Sequence, residues 1–463
     1  MTITTSLAAL PPVALQREPD ATAASWYGLA ALTLITLFSV ADRQVFVLQA
    51  EIIRVQLALT DFQLGMLQGL GVSLSVAIAT YPIGWLADRY DRRWVLAACI
   101  MLWSLAVAAC GLAQGYAGLL AASAVAGLGE AGLAPIVLAL IPEMFRNDKR
   151  QLANSLSVVV GRLGTGMVIA FCGFLTVLAE SARPYLPSAL QTMESWRLTF
   201  FVAALPAPFF VLLLLTLPVR AKAVGTRASA VGSGASVADA PAPDAPEAGA
   251  LDFIRANLAG VGGFFVSVTL VTFGATAVGA WLPIVAMRQF GATPLQLGNA
   301  LGSATLVSTL IGMLVSVYGL RWLRARVGVQ LPVVTLALGC AACALSALAL
   351  LLPSSIDALF VVFGVHLTAL MLVGMTFPTA LQNLAPPHLR SRMFALLGTL
   401  AMLCASAAPP LVGLLSDQIR QRSDGLLLVT ATLGGAAFLL GALGFARTAK
   451  HYGAALRAVA QAS

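Results

Sequence analysis

The chain has 463 residues, of which 59% are hydrophobic and 10% charged, and its formal net charge is +8. A soluble chain of that length needs more polar surface to cover its core, so this balance excludes an ordinary water-soluble domain. The excess of basic residues invites a nucleic-acid reading, but their distribution follows membrane topology instead.

Apolar runs of about 20 residues can cross a bilayer as helices. Twelve are predicted, at 26–48, 64–87, 94–113, 116–144, 152–178, 198–217, 254–284, 297–320, 329–352, 359–384, 393–415 and 426–445. The segment before the first run, 1–24, holds no apolar core of signal-peptide length and is expected as a cytoplasmic tail.

An ionisable group inside a membrane is costly, so each one is a functional candidate. Asp42 and Arg43 lie in the outer half of the first run, and Glu51 lies just past its end. Neighbours on a helix point about 100° apart, so Asp42 and Arg43 do not pair ideally with each other. Glu130 is at the centre of the fourth run, among Gly127, Gly129, Ala131 and Gly132, which leave room for a ligand or a close helix. A carboxylate balanced between burial and a nearby arginine can take up and release a proton. The competing reading is a static ion pair between helices. Arg162, in Gly161-Arg-Leu-Gly-Thr-Gly166, can pair with Glu130 or with an anionic substrate.

Between the second and third runs stands Gly84-Trp-Leu-Ala-Asp88-Arg89-Tyr-Asp-Arg92-Arg93. Charge this dense places the segment at the membrane surface. Gly84 permits close approach of a neighbouring helix. Asp88, one turn later, can then meet a positive group or a helix N-terminus across an interface and act in a gate. The arginines can alternatively anchor the turn to anionic lipid.

Residues 219–252 are rich in Ala, Gly, Ser and Pro and read as a flexible cytoplasmic linker. They divide a first six-helix bundle, 25–218, from a second, 253–448, with 449–463 as a cytoplasmic tail. The segment 319–326 echoes 84–93 without the aspartate, and 385–392 echoes 145–150. Such echoes six helices apart predict parallel repeats with a site at their interface, near mid-membrane. In the second half, His366 and Trp281 read as packing residues, and Pro409-Pro410 predicts a kink in the eleventh helix. All six cysteines fall within spans and read as packing. Cys340-x-x-Cys343 lacks the partners of a zinc site. No metal or cofactor is expected. No phosphate-binding or metalloprotease motif occurs, which argues against an enzyme.

With the N-terminus inside, nineteen Lys and Arg fall on the cytoplasmic side and six on the other; Arg43 and Arg162, within helices, complete the 27. This predicts a multi-pass protein of the plasma membrane, the inner membrane in a bacterium, with both termini cytoplasmic.

Taken together, Asp42-Arg-Gln, Gln49-Ala-Glu51-Ile, Thr60-Asp-Phe-Gln-Leu-Gly65-Met-Leu-Gln-Gly69, Gly84–Arg93 and Gly127-Leu-Gly-Glu-Ala-Gly132 resemble the spinster-like transporters of the major facilitator superfamily. The superfamily resemblance covers about 25–450, and the narrower one rests on the first half. It implies an all-α membrane protein of twelve transmembrane helices in two six-helix bundles, working by alternating access. It also implies Asp42, Arg43 and Glu130 in a central cavity and Asp88 in a cytoplasmic gate. Where the superfamily often has an arginine seven residues before the helix-4 glutamate, this chain has Ser123. Arg162 or Arg43 then substitutes, or the coupling differs.

The expected function is secondary transport of an amphiphilic organic anion or lysolipid-like solute, coupled to protons. A symporter for a small organic acid is the alternative, and a non-transporting sensor a third reading. The substrate- and proton-binding candidates are Asp42, Arg43, Glu51, Glu130 and Arg162. The gating candidates are Gly84, Asp88, Arg89, Arg92 and Arg93. Expected partners are the substrate, protons and membrane lipids, without nucleic acid, and the chain is expected as a monomer.

Overall fold

A computed structural model describes residues 22–145, 147–217, 250–319, 327–386 and 389–461. Most of the predicted linker, and the basic echo at 320–326, lie outside the described residues. Among those described, all regular structure is helical. Twelve helices are long and apolar enough to cross a membrane: α1 Ala23–Gln56, α2 Asp61–Arg89, α3 Arg92–Leu112, α4 Tyr116–Ile141, α5 Leu152–Tyr185, α6 Ser195–Leu215, α7 Leu258–Phe290, α8 Pro294–Leu314, α9 Leu331–Ala349, α10 Ile356–Leu384, α11 Arg392–Gln418 and α12 Gly425–Ala454. In hydrocarbon only a helix or a closed barrel satisfies its own backbone, which is why each long apolar run adopts this form.

Several helices outrun their apolar cores because polar caps prolong them. α2 and α8 begin three residues before the predicted runs. Thr60 and Thr293 each accept a hydrogen bond from the backbone N–H three residues on, and Gln63 and Gln296 accept in return from the cap N–H. Three spans change character midway. α2 passes through a π-turn at Leu67–Gly71, α4 is interrupted between Tyr116–Glu130 and Leu133–Met144, and α6 between Ser195–Ala204 and Ala207–Leu215.

The packing repeats after six helices. α1 packs on α5, as α7 does on α11; α2 on α4, as α8 on α10; α3 on α4 and α6, as α9 on α10 and α12. The halves join along two seams, α5 with α8 and α2 with α11. Both are built on glycine. A Cβ at Gly173 would lie 2.9 Å from the Gly298 Cα, and one at Gly302 2.9 Å from the Ala170 backbone nitrogen. A Cβ at Gly65 would lie 2.7 Å from the Pro410 Cα. Pro409 and Pro410 lie inside a continuous helix, where they form the surface that Gly65 and Gly69 press against. Both seams lie toward the face carrying the α1–α2 and α7–α8 turns, here termed the closed face.

Gly298→Ala is expected to lower the thermal midpoint of the purified protein, because overpacking of this kind costs about 1–3 kcal/mol. Gly364→Ala, with open space where its Cβ would go, should leave the midpoint unchanged or raise it. Light-scattering or dye-based melting of the two variants checks this.

Candidate functional site

Three adjoining cavities run from mid-membrane to the face opposite the seams. The deepest, about 370 Å³, is lined by Asp42, Arg43, Ser123 and Glu130 of the first half and by Thr276 and Ala280 of α7. It adjoins a cavity of about 1190 Å³ between the halves, lined by Arg43 and Arg162 on one side and Met371, Phe377, Phe394 and Phe445 on the other. The third, about 820 Å³, shares Phe394, Gly398 and Met402 with the second and reaches Gly84, Asp88 and Arg92.

The structure brings four of the five predicted binding residues to this system. α1 carries Asp42 and Arg43 on different faces, as the helical phase requires. Asp42 is buried and its Oδ2 accepts a hydrogen bond from Trp103 Nε1 at 2.9 Å, while Oδ1 has no partner among the described residues. Arg43 pairs with Glu130, whose carboxylate ends the first segment of α4 and is 8% exposed. Of the two arginines proposed for that partnership, Arg43 takes it. Arg162 is exposed in the large cavity and meets no ion-pair partner among the described residues. Ser123 is buried, with its Oγ 3.9 Å from the Cys110 sulfur.

Glu51 is the correction. It lies on the closed face, away from the cavity. Arg288, at the end of α7, donates to both Glu51 oxygens at 2.9 and 3.2 Å and to both Asp61 oxygens at 2.8 and 3.0 Å. Arg54 also pairs with Glu51 at 2.8 Å, and Ser416 donates to Asp61 at 2.9 Å. Asp417, at the end of α11, accepts from the backbone N–H groups of Asp61 and Phe62 at 3.1 and 2.9 Å, so it caps α2 from the other half. This cluster bolts α1 and α2 to α7 and α11. Sequence reasoning missed Arg288, Asp61 and Asp417. The available signal was charge just beyond the apolar runs, on the face that topology makes poor in arginine.

At the opposite face the predicted gating loop is short. α2 runs to Arg89 and α3 starts at Arg92. Asp91 caps α3 by accepting from the Arg93 N–H at 2.9 Å, and its hydrogen bond from the Arg93 guanidinium at 2.8 Å holds the Asp91 carboxyl below the usual carboxylate range. Arg93 also reaches the Leu217 carbonyl at 3.3 Å, and Arg92 pairs with Glu143 and with Asp88. The Arg89 guanidinium lies over the Trp85 ring at 3.9 Å. Arg92 and Arg93 thus brace α2 and α3 against α4 and α6 of their own half. Gly84 has open space where its Cβ would go, because the third cavity separates it from α11.

His366 is buried, with Nδ1 3.0 Å from the Ser346 hydroxyl and its ring against Phe363 and Phe438. Trp281 donates to the Pro409 carbonyl at 3.1 Å. Both are packing residues.

The Major Facilitator Superfamily profile matches residues 32–409, and the chain belongs to that superfamily of membrane transporters. Within it, the chain is similar to the bacillibactin exporter of Bacillus subtilis (strain 168), 31% identical over 121 residues, which are 25% of this chain and 30% of that protein. It is also similar to protein spinster of Drosophila melanogaster, 26% identical over 165 residues, covering 34% and 26%. The niacin transporter NiaP of Acinetobacter baylyi (strain ATCC 33305 / BD413 / ADP1) is 26% identical over 161 residues, covering 35% and 33%. The aligned stretches span about a third or less of these relatives. A bacterial homologue of the human lysosomal transporter Spinster, solved in an inward-facing and occupied conformation, has the same fold: TM-score 0.74, 19% identity, 95% of this chain and 98% of that one. A D-xylose-proton symporter gives a TM-score of 0.62 at 15% identity, over 91% and 97%.

Arg288→Ala is expected to loosen the closed face, since breaking a buried ion pair by removing one partner costs about 3 kcal/mol. With Ser73→Cys as reporter in the cavity, a membrane-impermeant thiol reagent applied to that face should label the double variant at least tenfold faster than Ser73→Cys alone.

Proposed function

We propose that the chain is a secondary active transporter that moves an amphiphilic organic anion or lysolipid-like solute by alternating access, with proton coupling through Arg43 and Glu130. One observation carries this reading. The cavity has charge on one wall, from Asp42, Arg43, Glu130 and Arg162, and aromatic and methionine side chains on the other. A solute with an anionic end and an apolar body matches both walls. The positive-inside bias supports a cytoplasmic open face, with both termini on that side, and hence an inward-facing reading of this conformation. The spinster homologue with the same fold, solved in an inward-facing conformation, agrees with that reading.

Coupling follows from competition for Arg43. An ionised Glu130 occupies the guanidinium, and a proton on Glu130 releases it to an anionic head group. Proton and cargo occupancy are then linked. Gating follows from the two faces. Asp417 and Arg288 hold the outer face shut. On the inner face, Gly84 and Asp88 stand at the end of α2 facing the start of α11 across the third cavity. Rocking of the halves would bring Asp88 to that helix start.

A compact organic acid is the second reading. The 370 Å³ cavity beside Arg43 suits one, and the relatives include a niacin transporter and a probable 4-methylmuconolactone transporter.

The test is a thermal-shift and binding screen of purified protein with lysophosphatidylcholine, cholate and benzoate at several pH values. Amphiphiles are expected to stabilise the wild type more than benzoate, and anion binding should strengthen as pH falls. Arg162→Ala should weaken amphiphile binding roughly tenfold, as expected for loss of one charge-assisted hydrogen bond. Glu130→Gln, which cannot ionise, should make binding independent of pH. Unchanged affinity in Arg162→Ala together with an unchanged pH response in Glu130→Gln would reject the assignment. A benzoate-only response would favour the compact acid.

A further inference from the structure

Four side chains border both the deep cavity and the large one: Arg43, Gln68, Ser73 and Thr276. They form the neck between the two. Arg43 is engaged by Glu130, and the Thr276 hydroxyl donates to the Thr272 carbonyl at 2.9 Å. Gln68 differs. Its amide nitrogen and its carbonyl oxygen are both buried, and neither meets a partner among the described residues. Leaving a buried polar group unpaired is costly, and Gln68 leaves two. An apolar side chain of the same size would pack at that position without this cost.

The backbone around it is also unusual. Gln68 lies within the π-turn Leu67–Gly71, the one departure from α geometry along α2. A π-turn inserts one residue and resets which side chain faces the cavity, and such turns are frequent at functional sites. The adjacent Gly69 is pinned against Pro410 of α11, with 2.9 Å between a Cβ placed there and the Pro410 Cδ. The helix is therefore held firmly beside the neck.

An amide offers two donors and one acceptor in a fixed plane. From this the geometry points to Gln68 as the specificity residue that reads the uncharged polar part of the cargo, a hydroxyl, amide or ester next to the anionic end. Arg43 and Arg162 take the charge, and Gln68 takes the linkage between head and chain. This rests on the transport reading above and narrows it: the preferred cargo carries a hydrogen-bonding group at the root of its apolar tail.

The test uses two single-chain probes of equal tail length, laurate and N-lauroylglycine, which differ by an amide beside the carboxylate. Wild-type protein should bind N-lauroylglycine about tenfold tighter than laurate, the discrimination that corresponds to one hydrogen bond. Gln68→Leu should lose that preference while binding laurate within twofold of the wild type. Gln68→Met, unbranched like glutamine, is the second variant. Both should melt, without ligand, at or above the wild-type midpoint, because an unsatisfied amide has been removed. A retained tenfold preference in either variant overturns the proposal, as does a ligand-free midpoint several degrees lower in both, which would mean that the amide holds the helices together. If neither probe binds the wild type, the amphiphile reading fails, and the ligand-free melting comparison still decides whether Gln68 is a structural amide.

Discussion

The structure depends on close backbone contact between its two halves. Lipid provides no hydrophobic drive for one helix to leave it for another, so helices associate through tight packing and polar bonds. Here α2 meets α11 and α5 meets α8 through glycines that admit no side chain between them. The ion cluster of Arg288 with Glu51 and Asp61 sits on the same face and is secured by those contacts. Two bundles joined firmly at one end must diverge toward the other, and the cavity is the space that results. The contacts are themselves repeated. Thr60-x-x-Gln63-Leu-Gly65 opens α2 and Thr293-x-x-Gln296-Leu-Gly298 opens α8, with Gly69 and Gly302 four residues further on in each. One cap-and-contact device therefore serves both seams.

Much of this was legible in the sequence. Long apolar runs gave the spans because hydrocarbon leaves a chain few alternatives. Asp42, Arg43 and Glu130 could be singled out because charge within such a run needs a reason. What could not be read was partnership. Arg288 is 237 residues from Glu51, and no local spacing connects them, so Glu51 was placed with the binding residues instead of the closed face. The choice between Arg43 and Arg162 as partner of Glu130 depends on how α1, α4 and α5 are rotated, which sequence phase alone does not fix. Gln68 escaped notice because it is uncharged. Its signal was a single amide in the glycine-rich run Gly65-Met-Leu-Gln-Gly69.

The two walls of the cavity divide the chemistry. The first half carries the ionisable groups and holds them in fixed relation, with Trp103 on Asp42 and Arg43 on Glu130. The second half presents mainly apolar side chains, and the threonine hydroxyls of α7 that border the cavity turn back on their own helix. A threonine that bonds within its helix shows the cavity mostly its methyl group. The second wall is thus less polar than its composition implies.

One further pattern joins the faces. Gly413-Leu-Leu-Ser-Asp417 ends α11 as Gly84-Trp-Leu-Ala-Asp88 approaches the end of α2. The Gly413 backbone meets Asp61 and Asp417 caps α2, while Gly84 stands clear. Because α2 and α11 run antiparallel along one seam, the same sequence pattern stands at both ends of it, engaged at Asp417 and clear at Gly84. Under the proposed rocking, a see-saw with matching catches on both arms would rest on either one but not on both, with no messenger between the faces beyond the stiffness of the two helices.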